Sequence, residues 1–229
     1  MKRVYLWKPG EPVVHMPTLR AAAVSLATLA VDGENGRRVG DPIHEWVTEG
    51  RRQEYEWAVR NGSKWALNME PYSSCGDLAH WLLTMLGCRD ESVVNRTDDG
   101  GVMDWMPGPN ISRLVGSKFY TKGHRVNPML GDIIHVSSPH HVAVLIEKKS
   151  EDKWFTADYG QPYGQRKPCD IGFSRNIKYI RGRPLQGFVS LSKMVNSGAF
   201  TESAVVPDDF ELGVPCDNPH NESNLWIPT

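Results

Sequence analysis

Hydrophobic periodicity changes character once along this 229-residue chain, and that change limits the folds open to it. Up to Gly87 the apolar residues recur at helical spacing. TLRAAAVSLATLAV after Pro17 reads as a helix with Thr18 as N-cap and Gly33 near its end. Glu45 to Val59 holds one or two short helices. Ser73 and Ser74 then precede CGDLAHWLLTMLG, which stops at Gly87 and lines up Cys75, Leu78, Leu82 and Met85/Leu86 on one face. After Gly131 the apolar runs are short, β-branched and bounded by turn residues: Asp132 to Val136, His141 to Glu147, Trp154 to Asp158, and Leu185 to Leu191. Between them, residues 95–128 read as loop with a short helix near Ile111 to Val115. Helices first and an antiparallel sheet afterwards is an α+β pattern. Residues 1–199 read as one domain, with a core over about 63–195 and an N-terminal helical extension over 1–62. Residues 200–229, acidic and rich in Pro and Asn, read as a tail.

Composition removes several function classes. Apolar residues make up 40% and charged residues 23%, which is ordinary for a globular protein and excludes collagen, coiled coil and wholesale disorder. Lys and Arg number 26 against 27 Asp and Glu, so no electrostatic footprint for nucleic acid is present. Four cysteines without a C-x-x-C pair give neither a disulfide scaffold nor a zinc ribbon, and no metal or other cofactor is implied. Lys8 to Pro12 interrupt any signal-peptide core, and the apolar run from Ala21 to Val31 is far short of the roughly 20 residues that span a bilayer. The expectation is a chain made in the cytoplasm, without membrane insertion.

Three residues carry the chemistry. Cys75 opens a helix, where the positive end of the helix dipole and unpaired backbone N–H groups favour thiolate and could hold an oxyanion. His141 opens the strand HVAVLI, with Ala143 and Leu145 on its face and Val142, Val144 and Ile146 on the other. The neighbouring His140 is the alternative imidazole. Asp158 ends the strand Lys153 to Asp158. If residues 148–153 form the hairpin loop with Glu147 opposite Trp154, His141 falls opposite Gly160 and Ala143 opposite Asp158. His141 and Asp158 are then same-face diagonal neighbours roughly 7 Å apart at the backbone, whereas a one-residue slip puts them on opposite faces. Cys, His and Asp in this order can act as nucleophile, base and orienter.

Other candidates are weaker. His80 sits about 140° around the helix from Cys75, and His135 is mid-strand. His15, His44, His124 and His220 have no matching partner. Asp132 reads as a turn residue, and Cys88, Cys169 and Cys216 lack a comparable setting.

Ser74-Cys75-Gly76-Asp77-Leu78, the run Pro128 to Ile134 with Gly131-Asp132, and the run His141 to Ile146 resemble the NlpC/P60 and CHAP cysteine peptidases. That resemblance covers roughly residues 72–160. It implies a papain-like fold, with Cys75 as nucleophile, His141 as base and Asp158 as orienter. It also implies a substrate: amide bonds of bacterial peptidoglycan stem peptides. The chain differs from the NlpC/P60 Asp-Cys-Ser-Gly pattern at the nucleophile. A chain of this kind without a secretory signal is also similar to amidase toxins injected into rival bacteria or to phage lysins, which implies a non-Sec route to the cell wall and an export or immunity partner. Two other readings share the residues: a transglutaminase-like or deamidating enzyme acting on protein glutamine, and an inactive binding module of the same fold.

Overall fold

The computed structural model describes residues 1–7, 14–31, 60, 75–90, 117–122, 127–136, 141–148, 153–158, 165–173, 178–180 and 183–212. The expected helices over Glu45 to Val59 and Ile111 to Val115, and His140, lie outside these residues. Within them the order is β1 (Lys2–Tyr5), α1 (Met16–Val31), α2 (Cys75–Met85), β2 (Tyr120–Lys122), β3 (Ile133–Val136), β4 (His141–Lys148), β5 (Lys153–Asp158), β6 (Gln165–Phe173), β7 (Lys178–Ile180), β8 (Arg183–Val189), α3 (Leu191–Asn196) and β9 (Ser203–Val206). The fold is α+β with antiparallel sheets.

Strand β8 explains the shape of the main sheet. One of its edges pairs with β3, while the other is shared, its start pairing with β7 and its end with β2. With β3 to β7 joined in sequence order, the sheet closes on itself and leaves few open strand edges. Its two faces collect different cores. Ile134, Ala143, Leu145, Trp154, Leu185 and Phe188 pack together on one face. On the other, Ile133, Val142, Val144, Ile146 and Ala157 pack with the helices.

Helix α1 is suited to such close packing because it is built from small residues. Ala21, Ala22, Ala23, Ala27 and Ala30 are all buried. It begins earlier than the sequence suggests. Pro17 sits inside the first turn, where its missing N–H costs nothing. Thr18 is therefore not the N-cap, and its hydroxyl instead meets His15 Nδ1 at 2.7 Å. Helix α2 is enclosed more fully than one apolar face requires, since Leu78 to Leu83 are all buried, His80 included. It stops at Gly87 as expected, where the Gly87 and Cys88 N–H groups donate to the Thr84 and Leu83 carbonyls.

One buried ion pair joins these parts. Arg20 on α1 donates to Asp132 Oδ1 at 3.0 Å, to the Leu130 carbonyl at 2.6 Å and to Ser192 Oγ at 2.9 Å. Asp132 also accepts the N–H groups of Met129 and Leu191, at 2.8 and 3.1 Å. The turn role expected for Asp132 is present, and the carboxylate additionally ties α1 and the start of α3 to the entry of β3. Gly131 precedes it at φ +85, and a Cβ there would meet Ala23 Cβ at 3.1 Å and Leu191 Cδ1 at 3.2 Å.

Several elements escape sequence reading. Strands β2, β6 and β7 fall in stretches without clean alternation, and α3 begins at Leu191, a residue expected at the end of the preceding strand. Ser190 makes the break by accepting the Lys193 N–H as an N-cap. The composition-based tail begins inside the core: Phe200, Ala204, Val206 and Phe210 are buried, and β9 pairs with β1 along its whole length.

Asp132→Ala leaves the Arg20 charge buried and two backbone donors unpaired. It should cost about 3–5 kcal/mol, read as a lowered midpoint in urea denaturation.

Candidate active site

The register between β4 and β5 decides whether His141 and Asp158 can meet. At the hairpin end the ladder pairs Lys148 with Trp154 and Glu147 with Phe155, one residue away from the expected alignment. Continued unchanged, it would set Asp158 beside Val144, on the face turned from His141. A β-bulge between Leu145 and Glu147 absorbs one residue, and the ladder resumes with Leu145 opposite Thr156 and Val144 opposite Ala157. Ala143 is thereby level with Asp158, as the sequence reading required, though by a different route.

The side chains take up that alignment. His141 Nε2 donates to Asp158 Oδ1 at 2.7 Å. Thr156, two residues earlier on the same face, donates to Asp158 Oδ2 at 2.5 Å, so both carboxylate oxygens are engaged. Exposure is divided unequally: the Asp158 side chain is 6% accessible and that of His141 23%. A buried carboxylate behind a partly open imidazole is the arrangement that fixes a base in one orientation while leaving it reachable. Because Asp158 occupies Nε2, proton transfer to or from a reacting group has to pass through Nδ1. Sequence reading missed Thr156; its signal was the Thr-x-Asp spacing, which places both residues on one strand face.

Cys75 is the first residue of α2, as expected for a thiol at a helix N-terminus. Its side chain lies outside the described residues. Helix α2 packs against β4 from the side of Val142, Val144 and Ile146. His141 and Asp158 belong to the alternate set, with Thr156 and Trp154. The path from α2 to His141 therefore runs round the N-terminal end of β4, where His141 is the first residue.

The remaining polar residues have other partners. His135 is buried and its Nδ1 meets the Tyr120 hydroxyl at 3.1 Å. Burial pushes the Tyr120 phenol up to about 12, so it stays protonated. Gly187 makes room for this contact, since a Cβ there would lie 2.5 Å from the Tyr120 hydroxyl and 2.4 Å from the Thr121 carbonyl. His44, His124, His220, Cys216 and the side chain of Cys169 lie outside the described residues. Among the described residues, no group of three or more His, Cys, Asp or Glu side chains could hold a metal ion, and no helix is long and apolar enough to cross a membrane.

Compared with known proteins, the chain matches no family model, no curated sequence and no solved structure.

Cys88 lies just beyond the end of α2. It is a buried free thiol, and burial pushes it from 9.0 up to about 11. The unfolded thiol ionises first, so the folded state holds more protons between those values. Its contribution is fully present below pH 9 and is lost as the pH rises through about 11. Cys88→Ala should flatten that part of the profile of denaturation midpoint against pH.

Proposed function

We propose that this protein is a thiol hydrolase of papain-like fold that cleaves an amide or peptide bond, with peptidoglycan stem peptides as its substrate. The observation that carries the reading is the His141–Asp158 pair at 2.7 Å, its carboxylate buried and its imidazole partly open. Cys75 starts a helix packed on the opposite face of the strand that His141 opens, so in this reading the thiol reaches the imidazole round the N-terminal end of β4. The substrate class and the fold name rest on the resemblance to the NlpC/P60 and CHAP peptidases.

In this mechanism His141 takes the Cys75 proton through Nδ1, and the thiolate attacks the carbonyl carbon. Backbone N–H groups at the start of α2 hold the resulting oxyanion. The carbon–nitrogen bond breaks as His141 returns the proton to the leaving amine, which leaves a thioester. Water, deprotonated by His141, then releases the acid and the thiolate. Asp158 keeps the imidazole oriented and stabilises its charged form, and Thr156 keeps Asp158 in place. Action on the cell wall would take the chain out of the cytoplasm, as an injected effector or a phage lysin, with an export or immunity partner.

Iodoacetamide labelling resolved by site tests the thiol without a substrate. Cys75 should label rapidly at mildly acidic pH, and His141→Ala should move its labelling up to the free-thiol range near about 8.5. Identical Cys75 profiles in both proteins would leave a structural cysteine and a binding module. On peptidoglycan fragments, Cys75→Ala and His141→Ala should each lower turnover by at least about 10³-fold. Asp158→Asn should reduce kcat while leaving the fold intact by circular dichroism. Mass spectrometry identifies the reaction: a new amine and acid terminus supports hydrolysis, whereas a deamidated or cross-linked glutamine on an intact backbone would assign acyl transfer to or from protein glutamine instead.

A further inference from the structure

A second site lies at the other end of α2. The C-terminal turn of that helix and the outward face of the β1–β9 ribbon border an open cleft of about 550 Å³, lined among others by Arg3, Arg89, Met85, Ser203 and Val205. We propose that it binds a small organic ligand through an oxyanion group, carboxylate or phosphate, held between the Arg3 and Arg89 guanidinium groups.

The ribbon's alternation sets one half of the site. Ala204 and Val206 are buried and Val4 packs against the core, so Arg3 and its cross-strand partner Val205 face outward into the cleft. The Arg3 side chain makes no hydrogen bond or ion pair among the described residues. Arg89 follows the end of α2 and is tethered twice, its backbone N–H donating to the Ala199 carbonyl at 2.8 Å and its Nε to the Gly198 carbonyl at 2.9 Å. That tether fixes the guanidinium while both terminal amino groups keep their donors. A pair of guanidinium groups, one of them held in place, is suited to charge-assisted hydrogen bonds with an oxyanion.

The rest of the lining narrows the ligand further. Of the three hydroxyls on it, those of Thr84 and Thr201 already donate to the carbonyls of His80 and Ser203, which leaves the Ser203 hydroxyl as a third donor. The carbonyls of Leu83, Thr84 and Gly87 accept from Cys88, Gly87 and Thr201, so the negative end of α2 is largely satisfied. Glu202, the single carboxylate on the lining, forms no ion pair with either arginine among the described residues. Met85 and Val205 supply an apolar wall for the body that carries the anion. The volume suits a ligand of a few linked groups rather than a bare ion. None of this depends on the chemistry proposed for Cys75.

Isothermal titration of the full chain with inorganic phosphate and, separately, with succinate tests the site. At least one anion should bind saturably, and Arg3→Gln and Arg89→Gln should each weaken it about tenfold or more. Lys193→Ala, at an exposed position on α3, should leave binding unchanged. Preference for phosphate points to a phosphate ester, and equal or better binding of succinate to a carboxylic acid. Saturation by neither anion, or an equal loss in Lys193→Ala, overturns the proposal. Unchanged circular dichroism of the arginine variants establishes that any loss is not unfolding.

Discussion

The Arg20–Asp132 pair is the interaction on which the arrangement depends. A guanidinium and a carboxylate, 6% and 2% accessible, can share a core only if their remaining donors and acceptors are occupied. Here Arg20 also holds Leu130 and Ser192, and Asp132 also holds Met129 and Leu191. Those contacts bring together the second turn of α1, the turn entering β3 and the start of α3, which lie far apart in the chain. Strand β3 leaves this junction to pair with β4, and β8 arrives at it through Ser190. The strand that carries His141 is therefore set against an electrostatic anchor as well as an apolar core.

From that anchor outward, the candidate site is a matter of parity. Side chains alternate along a strand, so one residue of slippage moves a group through the sheet. The bulge between Leu145 and Glu147 changes the parity of β4 against β5 once, between the hairpin and the site. At the hairpin, Lys148 is opposite Trp154, with its ammonium 5.3 Å from the ring centroid. Beyond the bulge, Asp158 comes level with Ala143, a small residue that leaves space beside His141. The pairing of a buried carboxylate with a more open imidazole follows from that single inserted residue.

The two ends of α2 are chemically unlike. Its start is Cys75, on a helix packed against β4. Its end has most of its carbonyls occupied, is followed by a cation and faces the β1–β9 ribbon across an open cleft. A fully enclosed middle separates them, because Leu78 to Leu83 bury every side chain between the two. One helix thus serves as a rigid spacer between a candidate reaction centre and a candidate anion site.

Much of this was legible in the chain because it is local. The α+β order, helix α2 with its stop at Gly87, and strands β3, β4 and β5 follow from periodicity and turn residues, which depend on neighbours a few positions away. His141 and Asp158 could be put on one face from hairpin geometry alone, but only by assuming a register. What tertiary structure decided was non-local: the bulge that delivered that register, the closing of the sheet through β7 and β8, and the pairing of β9 with β1. The partnership of Arg20 with Asp132 was equally hidden, since nothing in a local pattern shows which buried charge will meet which. Hydrophobic spacing specifies which side of an element is covered, whereas the covering partner is chosen by packing and polar satisfaction across the whole fold.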